Sequence, residues 1–368
     1  MFNLNFVLHL IFQFHNKTME IKHNSQITTA SVKYLFGVIP NGEKIYSYEL
    51  SNKNGMTLKV ITYGATLTEL KIPLKNGETV DVVLGFDTLE GYLQSFQLEG
   101  APYIGTTVGR FAGRIHNSTF ELNGQKILLN ENNNGNSLHG GIVGFSQKVW
   151  TVEKVTEGEN PAITLSYSSP AGEENYPGNL TVEVTYALTE ENELKIQYSA
   201  KTTEDTIVNL TNHSYFNLDG HSSNVKDQDL IVNTNQILEK TEENIPTGRL
   251  LEVENTSYDF LTPKKCPTKI DNTFVVTKKD EFAASLFNEK NNLKMTVFTD
   301  QPGVHIYVGG NCSNAVKGKE NVDYHSLSGI CFEAQNFPDA PNHDHFPSAV
   351  LKKGDEYTHA TAFKFESL

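Results

Sequence analysis

Basic charge is scarce in this 368-residue sequence. Thirty Lys and Arg stand against 44 Asp and Glu, for a formal net charge of −14 and a pI near 5.3. No basic stripe exists to neutralise phosphates, which excludes a nucleic-acid or polyphosphate partner. Cysteine is scarce too. Cys266, Cys312 and Cys331 are odd in number and lack metal-type spacing, so they read as reduced thiols of a reducing compartment, the cytoplasm. Glycine-rich phosphate loops are missing. So are long apolar runs. Residues 1–18, MFNLNFVLHLIFQFHNKT, come nearest, but Asn5, His9 and Gln13 interrupt them. They have no charged leader or small-residue cleavage site, and they are too short and polar to span a bilayer. The expectation is a dispensable extension, with Met19 as an alternative start, or else a targeting segment. No linker, composition shift or fixed-period repeat divides residues 19–368, which predicts a single domain outside the membrane.

What is abundant is alternation. LTVEVTYAL (180–188) puts Leu180, Val182, Val184, Tyr186 and Leu188 on one face and Thr181, Glu183 and Thr185 on the other. ELKIQYSA (193–200) repeats the pattern after a polar turn, predicting a hairpin. AITLSYSS, LKMTVFT and TAFKFES alternate similarly, and TLKVITYG and VDVVLGF are shorter runs of the same kind. Helical signals are weak; TLEGYLQS (88–95) supports a turn or two. The expected fold is all-β, a large antiparallel β-sandwich.

Four polar stretches break the alternation. TVGRFAGRIHNSTF (107–120) carries Arg110 and Arg114, which are either solvated strand-end arginines or forks for a polar ligand. In NSLHGG (136–141) two glycines follow His139, allowing close approach by a ligand or a turn at positive φ. TNHSYFNLDGH (211–221) sets His213 at a strand end, as a structural residue or a proton carrier. GICFEAQNFPDAPNH (329–343) reads as a buried strand that holds Glu333, with Cys331 on the same face. A carboxylate there is costly unless paired, which makes it a functional candidate. His343 and His345, among twelve histidines, share a face if extended, but no complete ligand set accompanies them, so no catalytic metal is expected.

Taken together, these stretches resemble the aldose 1-epimerases (galactose mutarotases). The likeness runs in order from about residue 33 to the C-terminus, through GRFAGRI, NSLHGG, TNHSYFNL, IPTGRLLEVENTSYDF, KIDNTFVV, QPGVHIYVGGN and FEAQNFPDAPN. The resemblance implies the large sandwich with a sugar cleft on one face. It implies Glu333 as catalytic base, His213 as catalytic acid, and Arg114, His139 and Asp271 as sugar-binding positions, with Tyr215 beside the acid. Gly113 stands where the family usually has Asn, and His305 where it often has Gln; each departure alters one hydroxyl contact. The implied reaction exchanges the anomers of free aldohexoses such as galactose and glucose, without cofactor or metal, in a monomer or weak homodimer. Rival readings are a sugar 6-phosphate epimerase and a non-catalytic sugar-binding module.

Overall fold

In the computed structural model, which describes residues 31–277 and 280–368, alternation translates into strands. The expectation for residues 1–18 lies outside the described residues. Along Leu180–Leu188 the five apolar side chains are all buried, while Thr181 and Glu183 are exposed. Its hairpin partner, Glu193–Thr202, pairs in register from Leu188 opposite Leu194 to Leu180 opposite Thr202. A one-residue slip would expose that entire apolar row, so burial of one face enforces the pairing.

Three large antiparallel sheets result. A nine-stranded sheet includes this hairpin, Ala162–Ser169, Leu293–Thr299 and Glu356–Ser367. A six-stranded sheet runs Tyr215–Phe216, Ile330–Gln335, Gly303–Val308, Ile270–Val275, Gln236–Lys240 and Pro246–Glu252. A five-stranded meander covers Val32–Val38 to Thr79–Asp81. Val182, Val184 and Tyr186 of the first sheet belong to one apolar cluster with Val304, Ile306, Ile330 and Phe332 of the second and Leu58, Val60 and Leu67 of the third. The sheets therefore pack through a shared dry layer, as the expected sandwich requires.

TLEGYLQS forms the helix Leu89–Ser95, its first turn capped where Thr88 Oγ1 accepts from the Gly91 amide at 3.3 Å. VDVVLGF differs from expectation. Its strand stops at Asp81, whose Oδ1 accepts from the amides of Leu70 and Val83 and so turns the ladder into a local carboxylate cap. Among the described residues, no helix is long and apolar enough to cross a membrane.

The six-stranded sheet positions the site. Thr273, His305 and Glu333 stand opposite one another across three adjacent strands, and Asp271, Tyr307 and Cys331 form the next such row. Pairs two residues apart share a face, so all six side chains project from one side. The alternate residues Phe274, Val304, Ile306 and Phe332 enter the core.

Candidate active site

Over the polar face of this sheet, loops close a cavity of about 440 Å³. Gly113, Arg114, His139, His213, Asp271, His305 and Glu333 all line it, although they come from stretches scattered over the chain. That volume suits a small ligand.

His213 follows the two-residue strand Thr211–Asn212, and its backbone is pinned on both sides. Its amide donates to the Thr106 carbonyl and its carbonyl accepts from the Gly105 amide, each at 2.9 Å. The ring is flanked by Tyr103 and Tyr215, with centroids 6.0 and 5.2 Å away, and His139 meets it edge-on at 5.6 Å. Little rotameric freedom remains. Its Nε2 lies 3.5 Å from Glu333 Oε1, while Glu333 Oε2 is buried and has no hydrogen-bond partner among the described residues.

That arrangement sets the proton inventory. Burial raises the Glu333 carboxyl to about 8; the Asp271 charge adds to the shift and Arg114 opposes it. Burial also pulls the His213 imidazole down to about 3. Between those values the pair holds one proton, and burial of both groups favours the carboxyl as its site. An ionised carboxylate beside an imidazolium carries the same single proton. A ligand that donates to Oε2 and accepts from Nε2 favours this charged arrangement.

His139 occupies a turn at φ 51°, and its Nδ1 accepts from the Gly113 amide at 3.2 Å. Burial, with the neighbouring His213 and Arg114, keeps the ring neutral, so its single proton is on Nε2. The turn explains the two glycines. A Cβ at Gly140 would lie 1.9 Å from the Gly109 carbonyl oxygen, so the close approach there is to the protein's own backbone. His139, His213 and Glu333 bring three donor atoms within 4.8 Å of one another. They make a poor metal site, because an Nε2 that carries the proton has no lone pair to give.

The two arginines divide. Arg110 is 2% exposed and saturated: Nε donates to Ser169 Oγ, and the terminal nitrogens donate to the carbonyls of Ser169, Pro170, Pro177 and Gly178. It is neither a solvated arginine nor a ligand fork. Arg114 makes one side-chain hydrogen bond among the described residues, from Nε to Asn133 Oδ1 at 2.9 Å, and lines the cavity.

Asp271 is held by its neighbours. His305 Nε2 lies 3.0 Å from Oδ1, Thr273 Oγ1 lies 2.9 Å from His305 Nδ1, and Lys240 Nζ lies 3.8 Å from Oδ1. Burial pushes this carboxyl upward. The His305 hydrogen bond, with Lys240 and Arg114, outweighs burial and keeps it below the usual carboxylate range. Both His305 nitrogens are thus engaged by protein groups, and His305 reaches a ligand chiefly by fixing Asp271.

Tyr215 requires a correction. It is fully buried and does not line the cavity: in register with Cys331 at the edge of the six-stranded sheet, it lies against the His213 ring. It braces the histidine and is not within reach of a ligand. Among the lining residues that the sequence analysis did not name are Tyr103, stacked on His213, and Lys240. Lys240 ends the short strand Gln236–Lys240 and carries no local signal. Tyr103 sits in APYIG, where φ 52° is a property only the folded backbone reveals.

Known proteins resemble this chain over most of its length. The galactose mutarotase of Bos taurus is 39% identical over 342 residues, which span 90% of this chain and 97% of that one. The aldose 1-epimerase of Escherichia coli (strain K12) is 30% identical over 343 residues, 89% of this chain and 96% of its own. An aldose epimerase homologue from C. elegans superposes with a TM-score of 0.79 at 32% identity, covering 86% of this chain and 98% of that one. The galactose 1-epimerase of Lactobacillus acidophilus NCFM reaches the same TM-score at 27% identity, over 92% and 99%. With the family model for aldose 1-epimerases matching residues 46–364, the chain belongs to the aldose 1-epimerase family.

Proposed function

We propose that this protein interconverts the α and β anomers of free aldohexoses such as galactose and glucose. The observation that carries the reading is the buried Glu333–His213 pair: His213 Nε2 lies 3.5 Å from Glu333 Oε1, and Oε2 is left without a hydrogen-bond partner among the described residues. A cyclic aldose is a hemiacetal. Opening it requires removal of the proton on the C1 hydroxyl and delivery of a proton to the ring oxygen as the C1–O5 bond breaks.

In this reading Glu333 takes the hydroxyl proton while His213 Nε2–H protonates the ring oxygen. Rotation about C1–C2 presents the other carbonyl face, and the two groups exchange roles on closure. His139 Nε2–H, Arg114 and the ionised Asp271 hold hydroxyls. They supply the positioning that a small neutral substrate needs. The pair begins and ends with the same single proton, so no cofactor enters the balance. Three unpaired, buried cysteines support a reducing compartment, the cytoplasm.

A sugar 6-phosphate fits less well. Lys240 is committed to Asp271 and to Asn244 Oδ1 at 2.5 Å, which leaves Arg114 to face a dianion beside Asp271. The test is polarimetry on freshly dissolved α-D-galactose and α-D-glucose, with galactose 6-phosphate in parallel. Enzyme-dependent acceleration is expected for the free sugars and should persist after exhaustive chelation. A higher kcat/KM for the phosphate would move the protein to the rival reading.

A further inference from the structure

The Ile330–Gln335 strand sends two side chains to one imidazole. Cys331 and Glu333 are two positions apart and so project from the same face. Glu333 Oε1 lies 3.5 Å from Nε2 of His213, and Cys331 Sγ lies 3.6 Å from Nδ1. The thiol is fully buried, in register with Tyr215 on one side and Tyr307 on the other, and sulfur hydrogen bonds are normal at that length. Among the described residues no other side chain hydrogen-bonds to Nδ1.

We propose that Cys331 is a positioning residue for the epimerisation, an uncharged hydrogen-bond partner that fixes the His213 ring with Nε2 toward the sugar. The proposal rests on His213 being the acid. Its physical content lies in the choice of partner. A carboxylate at Nδ1 would stabilise the imidazolium and weaken it as an acid, whereas a thiol adds no charge. Burial keeps the thiol protonated, well above its usual range. Sulfur can accept from Nδ1–H while the ring is an imidazolium, and S–H can donate to a bare Nδ1 when the ring is neutral. During proton delivery the Nε2–H bond breaks, its electron pair stays on nitrogen, and the new O–H bond forms on the sugar. Cys331 keeps its own proton throughout.

Cys331→Val removes the hydrogen bond and keeps the side chain apolar, at the addition of about one methyl group. A hydrogen bond of about 0.5–1.5 kcal/mol corresponds to a loss of roughly 3- to 10-fold in kcat. KM and Tm should stay close to the parent, and Cys331→Ser, which restores a hydroxyl donor and acceptor, should recover kcat. Should the valine variant fail to fold, Cys331→Ala replaces it. Full kcat in the valine or alanine variant overturns the proposal, as does a loss shared by serine and tracking Tm. His213→Asn, measured alongside, separates the two layers. If it keeps full kcat, the acid assignment itself falls; if it collapses while Cys331→Val does not, only the Cys331 role falls.

Discussion

Two of the histidine–carboxylate pairs among the described residues, His213–Glu333 and His221–Asp81, have opposite fates. His221 Nε2 lies 3.3 Å from Asp81 Oδ2, much as His213 Nε2 lies 3.5 Å from Glu333 Oε1. Asp81 is closed off on every side. Lys319 Nζ reaches Oδ2 at 2.6 Å, two backbone amides donate to Oδ1, and Tyr324 OH lies 3.4 Å from His221 Nδ1. Burial would raise this carboxyl, but the Lys319 charge and the His221 hydrogen bond outweigh burial and hold it down. Glu333 has no such lysine and leaves an oxygen bare. Its proton is therefore kept near neutral pH, where it can be exchanged. The same two functional groups, imidazole and carboxylate, make a staple when both carboxylate oxygens are engaged and a proton-transfer pair when one is left open.

The largest expected effect tests the open pair. Glu333→Gln preserves shape but removes the base, so kcat should fall about 100- to 10,000-fold while sugar still binds. Near-full kcat in steady-state kinetics would dissolve the contrast. The closed pair should respond in stability instead. Asp81→Asn leaves Lys319 buried without its counter-charge, at a cost of about 3–5 kcal/mol. Urea unfolding measures that cost, and kcat per folded molecule should be unchanged. A kcat loss without destabilisation would mean that Asp81 belongs to the chemistry.

A third expectation concerns pH. Only the one-proton form of the Glu333–His213 pair can give one proton and take another. kcat/KM should therefore be level through neutrality and fall about tenfold per unit above about 8, as the carboxyl loses its proton with the imidazole already neutral. A rate still rising at pH 9.5 would contradict the inventory. The smallest effect sharpens it. Asp271→Asn should raise KM by about tenfold through a weakened hydroxyl contact. It also removes an anion that holds Glu333 up, so the alkaline limb should move to lower pH. An unmoved limb in the pH profile would show that Asp271 is electrostatically remote.

Much of the fold was legible in the residues. The Leu180–Leu188 faces, their hairpin register and the Thr88 cap follow from geometry that spans a few positions. The buried Glu333 was recognisable as an anomaly because apolar neighbours announce desolvation. The resemblance supplied the companions, and seven of the eight named positions line one cavity. Tyr215 does not, since adjacency to His213 in sequence says nothing about which side of the ring a tyrosine takes.

The sequence by itself determined the strands, their inward faces and the residue types available for acid–base work, because side-chain alternation is a property of neighbouring peptide units. Only the tertiary structure decided that Arg110 is spent on carbonyls while Arg114 is free for a ligand. It likewise decided that Lys240 and Tyr103 enter the cleft, and that burial pushes the Glu333 carboxyl up and the His213 imidazole down. Those outcomes depend on burial and on partners brought from far along the chain, such as Cys331 at Nδ1 of His213, 118 positions away. Desolvation is a sum over everything that surrounds a group, and no local pattern records it.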